Sequence, residues 1–113
     1  MTDPETRRGH IALVAGGVYA SKPRPAVILQ DDLFLETDSV TVCPLTTARV
    51  DAPLLRFPIP ANPTTGIDEP SFAMIDKITT VRRSSIGPIV GQVDSEQMLE
   101  LERRIVVFLG LAH

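Results

Sequence analysis

Arg24 stands between two prolines, in Lys22-Pro23-Arg24-Pro25, at the mouth of the apolar run Ala26-Val27-Ile28-Leu29. Proline on both sides stiffens the backbone around the arginine and removes N–H donors from the local ladder. A guanidinium held that way points in one direction. Further along, Cys43-Pro44-Leu45-Thr46-Thr47 ends a second apolar run with two hydroxyls. A fixed arginine beside a hydroxyl is a sound way to hold a phosphate, because the planar fork meets two oxygens and keeps its charge at any working pH.

Taken one at a time, these residues fit duller roles at least as well. Arg24 could anchor a strand through a carboxylate. Thr46-Thr47 could be an ordinary strand end, with strand alternation turning the Thr47 side chain away from that of Thr46. Cys43 has no histidine partner in evidence and reads as a small buried apolar residue. Asp76-Lys77 could be a turn, and Arg82-Arg83 a solvated pair. Only the order of the motifs together lifts the phosphate reading above these.

The elements that must position them are short. His10 to Val14 is an apolar run ending at Gly16-Gly17, which predicts a strand and a glycine-rich loop. Ala26 to Gln30 predicts a second strand, apolar enough to be buried on both faces. Asp31 to Thr37 predicts a helical turn started by aspartates. Val40 to Pro44 is rich in β-branched residues and predicts a third strand. Prolines at 53, 58, 60 and 63 confine any strand between Val50 and Glu69, with Leu54 to Phe57 favoured, to an edge. Gly66 to Pro70 reads as a turn, Ser71 to Asp76 and Ile78 to Arg82 as a bent strand pair, and Ile89 to Val93 as a last strand.

A C-terminal helix over 94–109 follows. Asp94 and Gln97 form its capping-box pair, and Met98, Leu101, Ile105, Phe108 and Leu109 its apolar stripe. Glu100 and Arg104 face each other at i,i+4, and Gly110 is the stop. The expected fold class is therefore mainly β with one C-terminal helix, a small barrel carrying a helical lid.

Length and composition agree with one domain over 1–113. The chain has 113 residues, 43% hydrophobic and 22% charged, which is ordinary for a globular protein. No apolar run approaches the length of a membrane span. The polar stretch Met1 to Arg8 has no apolar segment of a secretory signal, so it is expected to be a loose N-terminus on a cytoplasmic protein. One cysteine excludes an internal disulfide, and nothing near it has metal-ligand spacing, so neither metal nor cofactor is expected. A net charge of −3 speaks against a general nucleic-acid coat protein. Yet Lys22, Arg24, Arg49, Lys77, Arg82 and Arg83 gather at strand ends and turns, so a local basic groove on an acidic body is open to a few phosphates.

In order, Arg8-Gly9-His10-Ile11, Arg24-Pro25-Ala26-Val27, Pro44-Leu45-Thr46-Thr47, Ser71 through Asp76 to Thr80-Val81, and Leu109-Gly110-Leu111 resemble the MazF/PemK family of bacterial toxins. These are small ribonucleases of toxin–antitoxin modules. The resemblance runs from about Arg8 to Leu111. No single piece is specific, whereas the ordered set is far more so. It implies an SH3-like barrel of the MazF/CcdB toxin type and a homodimer with single-stranded RNA in a groove at its interface. It also implies neutralisation by a cognate antitoxin.

The resemblance further implies a metal-independent reaction in which the 2′-hydroxyl attacks the adjacent phosphorus, leaving a cyclic phosphate and a free 5′-hydroxyl. It assigns Arg24 and Thr46 as the active-site arginine and threonine and aligns Asp76 with an aspartate proposed as base in some members. Beside Arg24, Asp76 is expected to orient more than to accept a proton. Lys22, Thr47, Arg49 and Lys77 are the further positions expected to touch RNA. A composition poor in aromatics argues against recognition mainly by stacking.

Departures from the family pattern are His10 for an acidic residue, Lys77 for glutamine, Met74 for a second catalytic arginine, and a short loop from Ala15 to Pro23. His10 fits a strand end with a satisfied ring, and His113 a tail, so a two-histidine mechanism is not expected. Two other functions compete on the same fold. A CcdB-like gyrase poison would need a Trp-Gly-Ile-type end, which this chain lacks. An inactive barrel kept as an interaction module is the other.

Overall fold

The computed structural model describes residues 6–15 and 22–111. Gly16-Gly17 and the rest of 16–21 in the loop from Ala15 to Pro23, the first five residues, and the last two, His113 among them, lie outside the described residues. The strands are β1 His10–Val14, β2 Arg24–Ile28, β3 Ser39–Thr46, β4 Arg56–Ile59, β5 Ser71–Met74, β6 Thr79–Arg82 and β7 Ile86–Gln92, followed by helix α1 Ser95–Phe108. Every pairing is antiparallel. The order is β4-β5-β3-β2-β1-β7, with β6 also on β3.

β3 is the spine, and it is longer than the β-branched run alone predicts. One edge meets β2 through Ile28↔Val42, Val27↔Cys43 and Ala26↔Pro44. The other edge meets β6 over Ser39–Val42 and β5 at Leu45 and Thr46. Between β5 and β6 the chain leaves the ladder as a 3-10 turn, Ile75–Lys77. β2 begins at Arg24 rather than Ala26. Its ladder with β3 ends at Ala26 and Pro44, where the nitrogens of Pro25 and Pro44 bring no donor. β4 lies at an edge as the prolines require, shifted to Arg56–Ile59, and the edge position tolerates Pro58 within it.

Both faces of β2 are buried. Val27 and Leu29 join Ile11, Cys43, Leu45, Ile59, Ala73, Ile75 and the helix residue Leu101 in one core. Ala26 and Ile28 join Ala12, Val40 and Val42 in a second, on the opposite face. The sheet has no continuous closing ladder, but it curls into a small barrel-like body. Along the seam Gln92 donates to the Thr64 carbonyl at 2.9 Å. Two glycines allow this approach: a Cβ on Gly66 (φ +69°) would sit 1.9 Å from the Val90 carbonyl oxygen, and one on Gly91 2.2 Å from that of Thr65.

Helix α1 carries the expected capping box. The Asp94 carboxylate accepts from Gln97 N at 2.7 Å, and the Gln97 amide oxygen accepts from Asp94 N at 2.8 Å. Arg104 pairs with Glu100 at 2.8 Å, and Gly110, at φ +73°, follows the last turn. The apolar stripe departs from expectation at its end. Met98, Leu101 and Ile105 pack on the core, while Phe108 and Leu109 are exposed because the helix outruns the sheet.

Two further expectations are corrected. Arg7 and Arg8 are not a loose terminus: Arg8 Nη2 donates to Glu102 at 2.7 Å, Arg8 N to Asp32 at 2.8 Å, and Arg8 Nη1 to the Leu29 carbonyl. Arg83 is not merely solvated, since its Nε donates to the Thr37 carbonyl at 2.6 Å and holds the connection that contains the 3-10 turn Asp32–Phe34.

Candidate active site

Arg24 opens β2 and Thr46 ends β3, two neighbouring antiparallel strands. Ala26 opposite Pro44 is the last pair of their ladder, so Arg24 and Thr46 each lie two residues beyond it at the same end of the strand pair. Both share the parity of Ala26 and Pro44, so they lie on one face. Arg24 is exposed and its side chain, among the described residues, takes part in no ion pair or hydrogen bond. The duller role, a strand anchored to a carboxylate, thus has no partner among those residues. Thr46 Oγ1 accepts from Ala48 N at 3.1 Å. That bond closes the strand end and leaves the hydroxyl proton for an acceptor outside.

Lys22, Thr47, Arg49 and Lys77 are all exposed. Arg49 Cζ lies over the Phe72 ring, 6.0 Å from its centroid, and Lys77 ends the turn after β5. His10 opens β1, and its Nδ1 accepts from Arg7 N at 3.1 Å, the satisfied ring expected of a strand-end residue.

Asp76 has a different partner from the one expected. Its carboxylate pairs with Arg56 on β4, not with Arg24. β4 and β5 produce this contact through their register, Arg56↔Met74, which brings Arg56 beside the turn that carries Asp76. Both side chains are largely withdrawn from water, at 11% and 25% exposure. Arg56 Nη1 also donates to the Leu55 carbonyl at 3.1 Å, and Nε is buried with no partner among the described residues. Sequence reasoning missed Arg56. Its one signal was a charge set inside Leu54-Leu55-Arg56-Phe57-Pro58-Ile59.

Cys43 takes no part in chemistry. Its side chain is fully buried and its thiol lies 3.5 Å from the Met74 carbonyl as donor. Burial, and then the charge of Asp76, push its pKa from 9.0 up to about 12. A neutral thiol in the folded state facing a titrating thiol in the unfolded chain gives a defined pH effect. Stability from this group is complete below pH 9.0 and falls as pH rises toward about 12. Cys43→Ala is expected to flatten the alkaline fall of the free energy of urea unfolding, by up to about 1.4 kcal/mol per pH unit. Identical alkaline slopes in both proteins would remove this assignment.

A groove of about 500 Å³ is lined by Arg49, Val50, Asp51, Ala52, Pro53, Arg56, Pro58, Phe72 and Arg104. Arg104 reaches it from the helix, with Cζ 4.8 Å from the Phe57 centroid. Among the described residues no three His, Cys, Asp or Glu side chains converge as a metal site, and no helix is long and apolar enough to cross a membrane.

A family model described as PemK-like, MazF-like toxin of type II toxin–antitoxin system matches residues 7–109. A curated protein from Mycolicibacterium smegmatis, named probable endoribonuclease MazF, is 50% identical over 107 residues, 94% of this chain and 98% of that one. The solved Mycobacterium tuberculosis toxin MazF-mt6 superposes with a TM-score of 0.79 at 24% identity, covering 92% of this chain and 99% of that chain. A mycobacterial endoribonuclease in complex with its cognate antitoxin gives 0.74 at 20% identity, over 96% and 97% of the two chains. At such identities the two structures speak for the fold, which is the small barrel-like body with its C-terminal helix.

Proposed function

From a chain that belongs to the PemK-like, MazF-like toxins of type II toxin–antitoxin systems, we propose an endoribonuclease toxin that cuts single-stranded RNA at the phosphate gripped by Arg24 and Thr46. What supports this reading is that Arg24 and Thr46 stand at one end of neighbouring strands, with Arg24 exposed and the Thr46 hydroxyl proton unengaged. Arg24 meets two phosphoryl oxygens as negative charge grows on them, and Thr46 donates to the same phosphate. The 2′-hydroxyl oxygen gives its proton to solvent water and bonds to phosphorus, as the bond to the 5′-oxygen breaks and that oxygen takes a proton from water. Asp76, engaged by Arg56, orients the turn beside the site. The family and the curated relative favour this reading over a gyrase poison or an inactive barrel.

Lys22, Thr47, Arg49 and Lys77 extend the RNA contact from the rim of the same region. A cognate antitoxin is the regulating partner, as the solved mycobacterial complex supports. A second copy of the chain covers exposed Val107, Phe108, Leu109 and Leu111 at the helix end; a protomer mass by light scattering would remove the dimer. The deciding experiment incubates the protein with single-stranded RNA in EDTA and maps the ends. Cleavage is expected to persist and to leave a 5′-hydroxyl. Cleavage that stops in EDTA, or that leaves a 5′-phosphate, overturns the mechanism.

A further inference from the structure

The strand register extends the site beyond its two gripping residues. Thr46 pairs with Phe72 on β5, and Phe72 pairs with Pro58 on β4. Thr46, Phe72 and Pro58 alternate along their strands with Leu45, Ala73, Phe57 and Ile59, which all face the helix-side core. The row Arg24, Thr46, Phe72, Pro58 therefore runs across the outer face, with neighbouring strands about 4.8 Å apart. The groove begins where this row passes Phe72. Its wall lies one strand spacing from the threonine hydroxyl, a reach suited to the nucleotide next to the cut.

We propose that the Phe72 groove is the subsite for a nucleobase flanking the scissile phosphate, stacked on the Phe72 ring and covered by Arg49. The inference rests on the nuclease reading and deepens it. The volume, about 500 Å³, falls within the range of small-molecule sites, roughly 300–1,000 Å³.

The charges select the occupant. Three guanidiniums approach the groove, but Arg56 is paired with Asp76, Arg104 with Glu100, and Asp51 adds a carboxylate to the lining. A strongly charged segment, whether polyanionic RNA backbone or an acidic peptide, gains little from such a balance. A flat, nearly neutral base gains a ring to lie on and apolar walls from Val50, Pro53 and Pro58. Arg49 is exposed and joins no ion pair among the described residues. It is free to swing off the ring, admit the base, and close over its other face. One stacking platform fits a chain that is poor in aromatics.

The test is a cycle between protein and substrate. An oligoribonucleotide spanning a mapped cut is compared with versions carrying an abasic ribose at each flanking position in turn, using wild type, Phe72→Ala and Arg49→Gln. At one position, base removal is expected to cost wild type about tenfold in kcat/KM. Phe72→Ala should lose a similar factor on the intact RNA and nothing further on that abasic RNA, and Arg49→Gln should show the same coupling more weakly. The abasic series on wild type and the surface variant Arg49→Gln keep the test decisive if Phe72→Ala does not fold. Losses that simply multiply, or no cost from any abasic position, overturn the subsite. So does a Phe72→Ala protein that binds the cognate antitoxin less well while keeping the wild-type abasic ratios, which would give the groove to a protein partner. A wild type that cuts no RNA sinks the nuclease reading itself, whereas one that cuts without this coupling sinks the subsite alone.

Discussion

Arg24→Ala is expected to lower kcat/KM for RNA cleavage by about a thousandfold while leaving the free energy of urea unfolding within about 0.5 kcal/mol of wild type. The two halves of this result have separate causes. Stability is spared because Arg24 is exposed at the start of β2 and, among the described residues, no carboxylate or carbonyl depends on it. Chemistry is lost because extra negative charge on the phosphoryl oxygens then meets no guanidinium, and one removed donor at such a position costs about 10²–10³ in rate. Arg24→Lys should fall between the two, since an ammonium keeps the charge but not the two-pronged geometry. Thr46→Ala should lose less than Arg24→Ala, because a neutral hydroxyl donates one ordinary hydrogen bond and its bond to Ala48 N is local. Cleavage by Arg24→Ala within tenfold of wild type, at an unchanged midpoint, would take the arginine out of the site.

The same two residues show what a sequence can carry. Prolines around Arg24 and the hydroxyls after Pro44 are local signals of where strands begin and end, and those ends survived folding. So did the capping box of Asp94 and Gln97, the edge placement of the proline-rich strand, and the twofold burial of the Ala26–Leu29 run. Tertiary register was not legible. Nothing near Arg56 in the chain says that β4 will lie beside β5 with Arg56 opposite Met74, so its partnership with Asp76 could not be read. Phe72 and Arg104 were passed over for the same reason, since the groove they share exists only when a loop, two strands and a helix converge. Arg83 looked solvated because its partners, the Thr37 carbonyl and hydroxyl, lie 46 residues away. Phe108 and Leu109 kept helical spacing, but spacing does not say where the sheet beneath a helix ends.

Asp76 is where the two levels disagree, and its variants should separate a strut from a base. Arg56→Met is expected to destabilise the fold by about 3 kcal/mol, because it leaves a carboxylate that is only 25% exposed without its cation. Asp76→Asn should also destabilise, by stranding a guanidinium that is 11% exposed and whose Nε already lacks a partner among the described residues. Removing both charges, in Arg56→Met with Asp76→Asn, should recover at least about 1 kcal/mol relative to the sum of the single losses. A pair that braces β4 against the turn after β5 requires that non-additivity, and strictly additive midpoints would dissolve it. Activity assayed well below each variant's melting temperature then assigns the chemistry. With its carboxylate turned to Arg56, Asp76 should be replaceable by asparagine at a cost below about tenfold, against the 10²–10⁴ that loss of a working general base brings. A cleavage rate down by a hundredfold or more in folded Asp76→Asn would return the proton transfer to this residue and make Arg56 the group that aims it.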